Sequence, residues 1–105
     1  MSAEQREAEI QAKGLTAPRI TQLDLEEAIK ETDYYVFPKT QLTVCCITLK
    51  NGFTVTGESA CVSPENFDKI LGERIAYENA KRKMWTLLGY ALRDRLHAAA
   101  GNTAS

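Results

Sequence analysis

The sequence predicts an α+β fold in which an antiparallel β-hairpin, or a small three-stranded sheet, packs on a long C-terminal helix. Two observations carry this prediction. The dipeptide Asn51-Gly52 separates two runs rich in β-branched residues, which is a strong hairpin signature. Apolar residues then recur at helical spacing from Phe67 to Leu96. Short helices are expected before the sheet.

The 105 residues are enough for one domain. We expect a helical arm over residues 1–15, a single α+β domain over residues 16–98, and a disordered tail over residues 99–105.

Composition and charge exclude several classes of function. The chain has 13 Lys and Arg against 14 Asp and Glu, a net charge of −1, which argues against duplex nucleic acid as a partner. No run reaches the ~18–20 apolar residues of a membrane span, so no membrane partner is expected.

The three cysteines and the single histidine lack the spacing of a zinc site, so neither metal nor cofactor is expected. An odd cysteine count and a charged N-terminus predict free thiols in a reducing cytoplasm.

Two short helices are predicted near the N-terminus. Residues 3–13 have high helix propensity, and Gly14 suits the end of that helix. Residues 22–31 carry an apolar stripe, and Thr21 before them is a plausible N-cap.

The strands follow. Tyr34–Phe37 predicts an edge or lead-in strand, because Pro38 interrupts the extended run. The hairpin strands are expected over Leu42–Lys50 and Phe53–Cys61, joined by a two-residue type I′ turn at the Asn-Gly pair.

The hairpin cysteines are expected to be packing residues. A two-residue turn places Cys45 opposite Glu58 and Cys46 opposite Gly57. A nucleophilic Cys45 is disfavoured in this register, because a neighbouring carboxylate raises a thiol pKa. His97 lies too near the chain end to serve as a preorganised base. The sequence therefore predicts a protein that is not an enzyme.

The long helix is the most informative feature of the chain. Ser63-Pro64-Glu65 is typical of a helix start, and the apolar stripe continues to about His97. Such a helix would be ~50 Å long, against ~30 Å for the hairpin strands. Either it breaks near Gly72 or Gly89, or it projects beyond the sheet and packs on a second subunit. The second alternative predicts a homo-oligomer.

Six residues of this helix are candidates for ligand binding. Arginine binds phosphate through a planar fork, an aromatic ring can stack on a base, and asparagine is a poor residue for a helix interior. An exposed polar face paired with neighbouring acids also explains these charges, and composition alone favours it. The candidates are Asn79, Arg82, Trp85, Tyr90, Arg93 and Arg95.

Several stretches of the chain are distinctive, namely Leu42–Cys61, Asn66–Ala80, Trp85, Gly89-Tyr90 and Leu92-Arg93. Together they resemble a family of small tailed-phage proteins named after gene products forty-nine and sixty-six of two phages. The resemblance covers about residues 16–96. It implies a virus-encoded protein that acts in the cytoplasm of a host bacterium, and it transfers no catalytic residues.

The hairpin is followed by Asn66-Phe67-Asp68, Gly72, Ile75-Ala76 and Ala80. This pattern is similar to the Thoeris anti-defence sponges, small oligomeric phage proteins that sequester nucleotide signals of host immunity. This similarity implies a non-enzymatic counter-defence protein that binds a cyclic oligonucleotide or a cyclic ADP-ribose type of signal in an intersubunit pocket. The arginines would then meet phosphates, with Trp85 or Tyr90 against a base. The alternatives are an interaction protein that docks on and inhibits a host enzyme, and a nucleic-acid accessory factor.

Overall fold

The computed structural model describes residues 3–14 and 17–101 and has the α+β architecture that the sequence predicts. The expected boundary between residues 15 and 16 and the tail residues 102–105 lie outside this described part. In chain order the elements are α1 (Ala3–Ala12), α2 (Gln22–Ala28), β1 (Ile29–Val36), β2 (Leu42–Leu49), β3 (Thr54–Ala60), a 3-10 turn (Pro64–Asn66) and α3 (Lys69–Ala99).

The second helix begins as predicted and ends early. The Thr21 side chain accepts from the backbone N–H of Asp24, and the Asp24 carboxylate accepts from the N–H of Thr21, forming a capping box. The apolar stripe predicts a helix to residue 31, but the helix ends at Ala28. The reason is that Ile29 already pairs with Leu49 of β2, so the chain passes directly from helix to strand.

The sheet has three antiparallel strands in the order β1-β2-β3. The predicted third strand is confirmed at an edge of this sheet, although it begins at Ile29 and not at Tyr34. β2 is the central strand, and its residues alternate between buried and half-buried positions.

The turn between β2 and β3 corrects the expected hairpin. A type I′ turn needs positive φ at both central residues, but here only Gly52 has one, at φ 91°. The Asn51 side chain instead accepts from the Phe53 N–H at 3.0 Å, and the Leu49 N–H donates to the Phe53 carbonyl at 2.8 Å. The loop therefore has three residues, and the predicted two-residue turn is wrong.

The longer loop moves the register by one residue. Cys45 lies opposite Gly57, and Cys46 lies opposite Thr56. The expected pairing of Cys45 with Glu58 is wrong, because Glu58 pairs with Val44.

The long helix also starts later than predicted. Ser63 makes no side-chain cap, and the expected helix start forms only the 3-10 turn. Asp68 caps α3 instead, accepting from the Leu71 N–H at 2.9 Å. From Lys69 the helix runs without a break through Gly72 and Gly89.

The helix therefore projects beyond the sheet. Its 31 residues span about 46 Å, whereas the eight residues of β2 span about 26 Å. No helix in the described ranges is long and apolar enough to cross a membrane.

The core lies between α3 and one face of the sheet. Cys45, Ile47 and Leu49 point into it from β2, and Leu25 enters from α2. The helix contributes its small and flexible residues at this contact, namely Ala76, Ala80 and Met84.

The closest approach of helix and sheet is at Gly57. A Cβ atom built on this residue would overlap the backbone nitrogen of Ala80 and the carbonyl oxygen of Ala76, and it would lie 2.8 Å from Ala80 Cα. Backbone atoms cannot rotate away as a side chain can. Only glycine therefore allows α3 to lie at this distance from β3.

We expect Gly57→Ala to lower the free energy of unfolding by about 3 kcal/mol or more, because the added methyl group must push the helix off the sheet. Chemical denaturation at micromolar protein concentration measures the change. Gly89→Ala is the matched control, since nothing lies within 4 Å of its Cβ position. This helix-interior change should stabilise the protein by about 0.5–1 kcal/mol. Equal effects of the two substitutions would contradict the close approach at Gly57.

A second prediction concerns Thr43, which is fully buried and whose Oγ1 has no hydrogen-bond partner in the described part of the chain. Replacing it with the isosteric valine removes this unsatisfied group, so Thr43→Val should raise the free energy of unfolding by about 1 kcal/mol. Thr48→Val, on the opposite face of the same strand, should change it by less than about 0.5 kcal/mol. A loss of stability in Thr43→Val, seen by denaturation, would show that the hydroxyl is bonded.

Candidate functional site

A groove lies between α2 and the C-terminal half of α3, and we call it the α2–α3 groove. It has a volume of about 410 Å³, within the range of small-molecule sites. Aliphatic residues and charged side chains of both signs line it. They are Arg19, Ile20, Asp24, Glu27, Ala28, Leu88, Leu92 and Arg95.

The length of α3 creates this groove. Leu88 and Leu92 are one helical turn apart, on a part of α3 that lies beyond Met84, the last fully buried residue of the helix. The helix α2 covers these leucines only in part, and both are half-buried. Arg95 follows Leu92 by three residues and therefore lies on the same side of the helix.

The two arginines of the groove are held differently. Arg19 forms an ion pair with Glu7 of α1, and its hydrogen bonds lower the pKa of the Glu7 carboxyl group. Arg95 is exposed and makes no ion pair within residues 3–14 and 17–101. Its guanidinium group is therefore available to an anion that enters the groove.

The two acidic residues of the groove also differ in whether their carboxylates are already bonded within the protein. The Asp24 carboxylate accepts from the backbone N–H of Thr21 in the capping box, at 2.8 Å. Glu27 is exposed, one turn further along α2. The groove thus combines cationic donors, carboxylate acceptors and an aliphatic surface.

Only Arg95 of the six candidate residues lines this groove. Arg82 and Arg93 are exposed and point away from the buried face of α3. They are 11 residues apart, which is about 16 Å along the helix axis. The structure therefore does not bring the three arginines together within one subunit.

The other three candidates also lie apart. Trp85 is half-buried and packs against the core, whereas Tyr90 is 74% exposed. The Asn79 side chain donates to the carbonyl of Glu58 in β3 at 2.8 Å. The polar contact of Asn79 is therefore to the sheet.

Sequence reasoning missed most of the groove. Arg19, Ile20 and Glu27 belong to a segment about 40–50 residues before the start of the long helix, and no local pattern connects the two. The position of Asp24 in the sequence indicates a role in capping α2, but not a place in the groove. Only the packing of α2 on α3 reveals these residues as one site.

The thiol of Cys45 is buried, and Tyr34 is its partner across the β1–β2 ladder. Burial raises the pKa of this thiol from 9.0 to about 11. The neighbour across the strand is Gly57, so no base faces the sulfur from β3. This environment suits a packing residue. Within the described residues, no three His, Cys, Asp or Glu side chains are grouped closely enough to hold a metal ion.

We therefore expect Cys45 to resist alkylation in the folded protein. A pKa of about 11 in place of 9.0 lowers the thiolate fraction at about pH 8 by about 100-fold. Iodoacetamide labelling followed by peptide mass spectrometry should show at least this slowing relative to the urea-unfolded chain. The half-buried Cys46 and Cys61 serve as internal controls and should react first. Preferential labelling of Cys45 would contradict a packing role.

A comparison with known proteins identifies one family. The model of the phage protein (N4 Gp49/phage Sf6 gene 66) family matches residues 20–96, which include the whole sheet and all of the groove except Arg19. No curated protein and no solved structure matches the chain.

Proposed function

The chain belongs to the phage protein (N4 Gp49/phage Sf6 gene 66) family, and we propose that it is a counter-defence protein that binds and sequesters a nucleotide immune signal. The ligand would be of the cyclic oligonucleotide or cyclic ADP-ribose type. It would bind in the α2–α3 groove, in the cytoplasm of the host bacterium. The protein would release it without any chemical change.

The observation that supports this proposal is the set of groups in the groove. Arg95 offers a planar, bidentate donor for a phosphate, and Arg19 lies on the same groove. Glu27 offers a carboxylate acceptor of the kind that binds ribose hydroxyls in dinucleotide sites. Leu88 and Leu92 supply an apolar surface for a base.

This assignment revises the residues expected to bind phosphate. Arg95 is kept and Arg19 replaces Arg82 and Arg93, which lie on another side of α3. The base would rest on the leucines, since neither Trp85 nor Tyr90 lines the groove.

Calorimetric titration tests the proposal with a panel of cyclic dinucleotides, cyclic trinucleotides and cyclic ADP-ribose isomers. We expect one class to release heat at about 50 μM protein. Arg95→Ala should weaken that binding by about tenfold or more, because it removes a charge-assisted hydrogen bond. The matched control Arg93→Ala, two residues away and outside the groove, should leave the affinity within about twofold.

Chromatography of the nucleotide after incubation with the protein tests whether the ligand is chemically altered. The expected result is recovery of intact ligand. Absence of heat with every compound at about 50 μM protein would contradict micromolar binding. Equal losses of affinity in Arg95→Ala and Arg93→Ala would place the ligand outside the groove.

A further inference from the structure

The face of the sheet opposite α3 is covered by no other element of the described structure. Tyr35 and Phe37 lie on it, 55% and 44% exposed, with ring centroids 4.8 Å apart in an edge-to-face arrangement. Val44 and Cys46 of the central strand lie beside them and are half-buried. An antiparallel sheet that faces water is normally polar on that side. This open face is instead partly apolar.

Carboxylates surround the apolar residues of the open face. Glu31 and Asp33 lie on β1 at positions that alternate with the buried face, and Glu58 lies in the row of Tyr35 and Val44. All three acids are exposed, and none forms an ion pair in the part of the chain that the structure describes. The open face therefore has negative charge with no internal partner.

The outer surface of α3 has the opposite character. Helical spacing places Arg82 and Arg93 on the side that points away from the buried alanines. Leu71 and Ile75 lie at the margin of this side, where they also border a recess shared with Ala60 of β3. Leu71 and Ile75 are 45% and 41% exposed.

Arginines dominate the charge of this outer surface. Arg82 and Arg93 are exposed and without an ion pair among residues 3–14 and 17–101, and Glu78 is the acid beside them. The surface thus combines exposed aliphatic residues with a net positive charge.

We propose that a second copy of the chain docks its outer α3 surface on the open sheet face. Contact between two open faces would bring the carboxylates of both copies together, and contact between two outer helix surfaces would bring the arginines together. Docking the helix surface of one copy on the sheet face of the next neutralises both. The sheet then has a helix on each side, which is a common layer arrangement.

The dimensions of the two surfaces agree. From Leu71 to Arg93 the helix spans about 33 Å, and the strands of the open face are about 26 Å long. Three strands are about 10–14 Å wide, close to the diameter of one helix. An interface of this size lies at the small end of the known range, so self-association should be weak and should need micromolar or higher concentrations.

The two surfaces of one copy are different, so the contact repeats from copy to copy and gives a ring or an open chain of subunits. The α2–α3 groove lies on a different side of α3 from Arg82 and Arg93. Assembly and nucleotide binding are therefore separable, and each can fail without the other.

Sedimentation velocity over about 5–500 μM protein tests this assembly. The wild-type chain should be larger than a monomer at the high end, and raising NaCl from about 50 to about 500 mM should reduce its size. Asp33→Lys and Arg82→Glu should each be monomeric. An equimolar mixture of these two variants should assemble again, because the introduced lysine of one variant meets the introduced glutamate of the other, while the native pair forms at the opposite contact.

Charge reversals on α1 provide matched controls. Glu4→Lys and Arg6→Glu lie on neither surface and should assemble like the wild-type chain. If a circular dichroism spectrum shows that Asp33→Lys or Arg82→Glu is unfolded, Glu31→Lys and Arg93→Glu form a second pair with the same expectation. A wild-type chain that stays monomeric at about 500 μM would overturn the proposal. The proposal would also be overturned if only one of the two charge reversals abolished assembly. The same holds if the mixture of the two variants did not reassemble.

Discussion

The contact between Gly57 and the backbone of α3 determines the rest of the architecture. It fixes the helix over β3 at Ala76 and Ala80, and Gly72 one turn earlier lies against Thr43 of β2. These contacts show that α3 runs along the sheet in the direction of β2.

About 16 residues from Lys69 to Met84 are enough to cover the strands. The remaining residues of the helix extend past the sheet, where α2 is the element that packs on them. The α2–α3 groove is a consequence of this placement.

The same placement explains why the open face, and not an edge of the sheet, is available for association. The edge strand β3 would expose backbone groups to another strand. Asn79 lies on the flank of α3 above this edge and donates to the Glu58 carbonyl, which occupies one of those groups. The edge strand β1 carries the charged residues Lys30, Glu31 and Asp33 and is irregular between Ile29 and Glu31, which also discourages strand addition. The face between these two edges has no comparable protection.

Local signals explain what could be predicted from the sequence. Capping at Thr21, an interrupted strand before Pro38 and an apolar repeat after Phe67 each act within a few residues, so the elements were predictable. The register between β2 and β3 could not be predicted, because an Asn-Gly pair is compatible with loops of two or three residues. Tertiary contact decides between them: the observed register buries Gly57 against α3. Ser63 and Asp68 are likewise both good helix caps, and only the structure shows that Asp68 is used. The groove joins segments far apart in sequence and had no local signal.

The basic character of α3 has a different meaning once helical periodicity divides it. Counted along the chain, Arg82, Arg93 and Arg95 form one basic group and suggest one anion site. Two residues along an α-helix correspond to a rotation of about 200°, so Arg93 and Arg95 cannot serve the same surface. Arg95 turns toward Leu92 and the groove, and Arg93 turns outward with Arg82. A phosphate can reach the first, and the carboxylates of a neighbouring copy can reach the others. One helix can therefore support ligand binding and assembly without either function competing for the charges of the other.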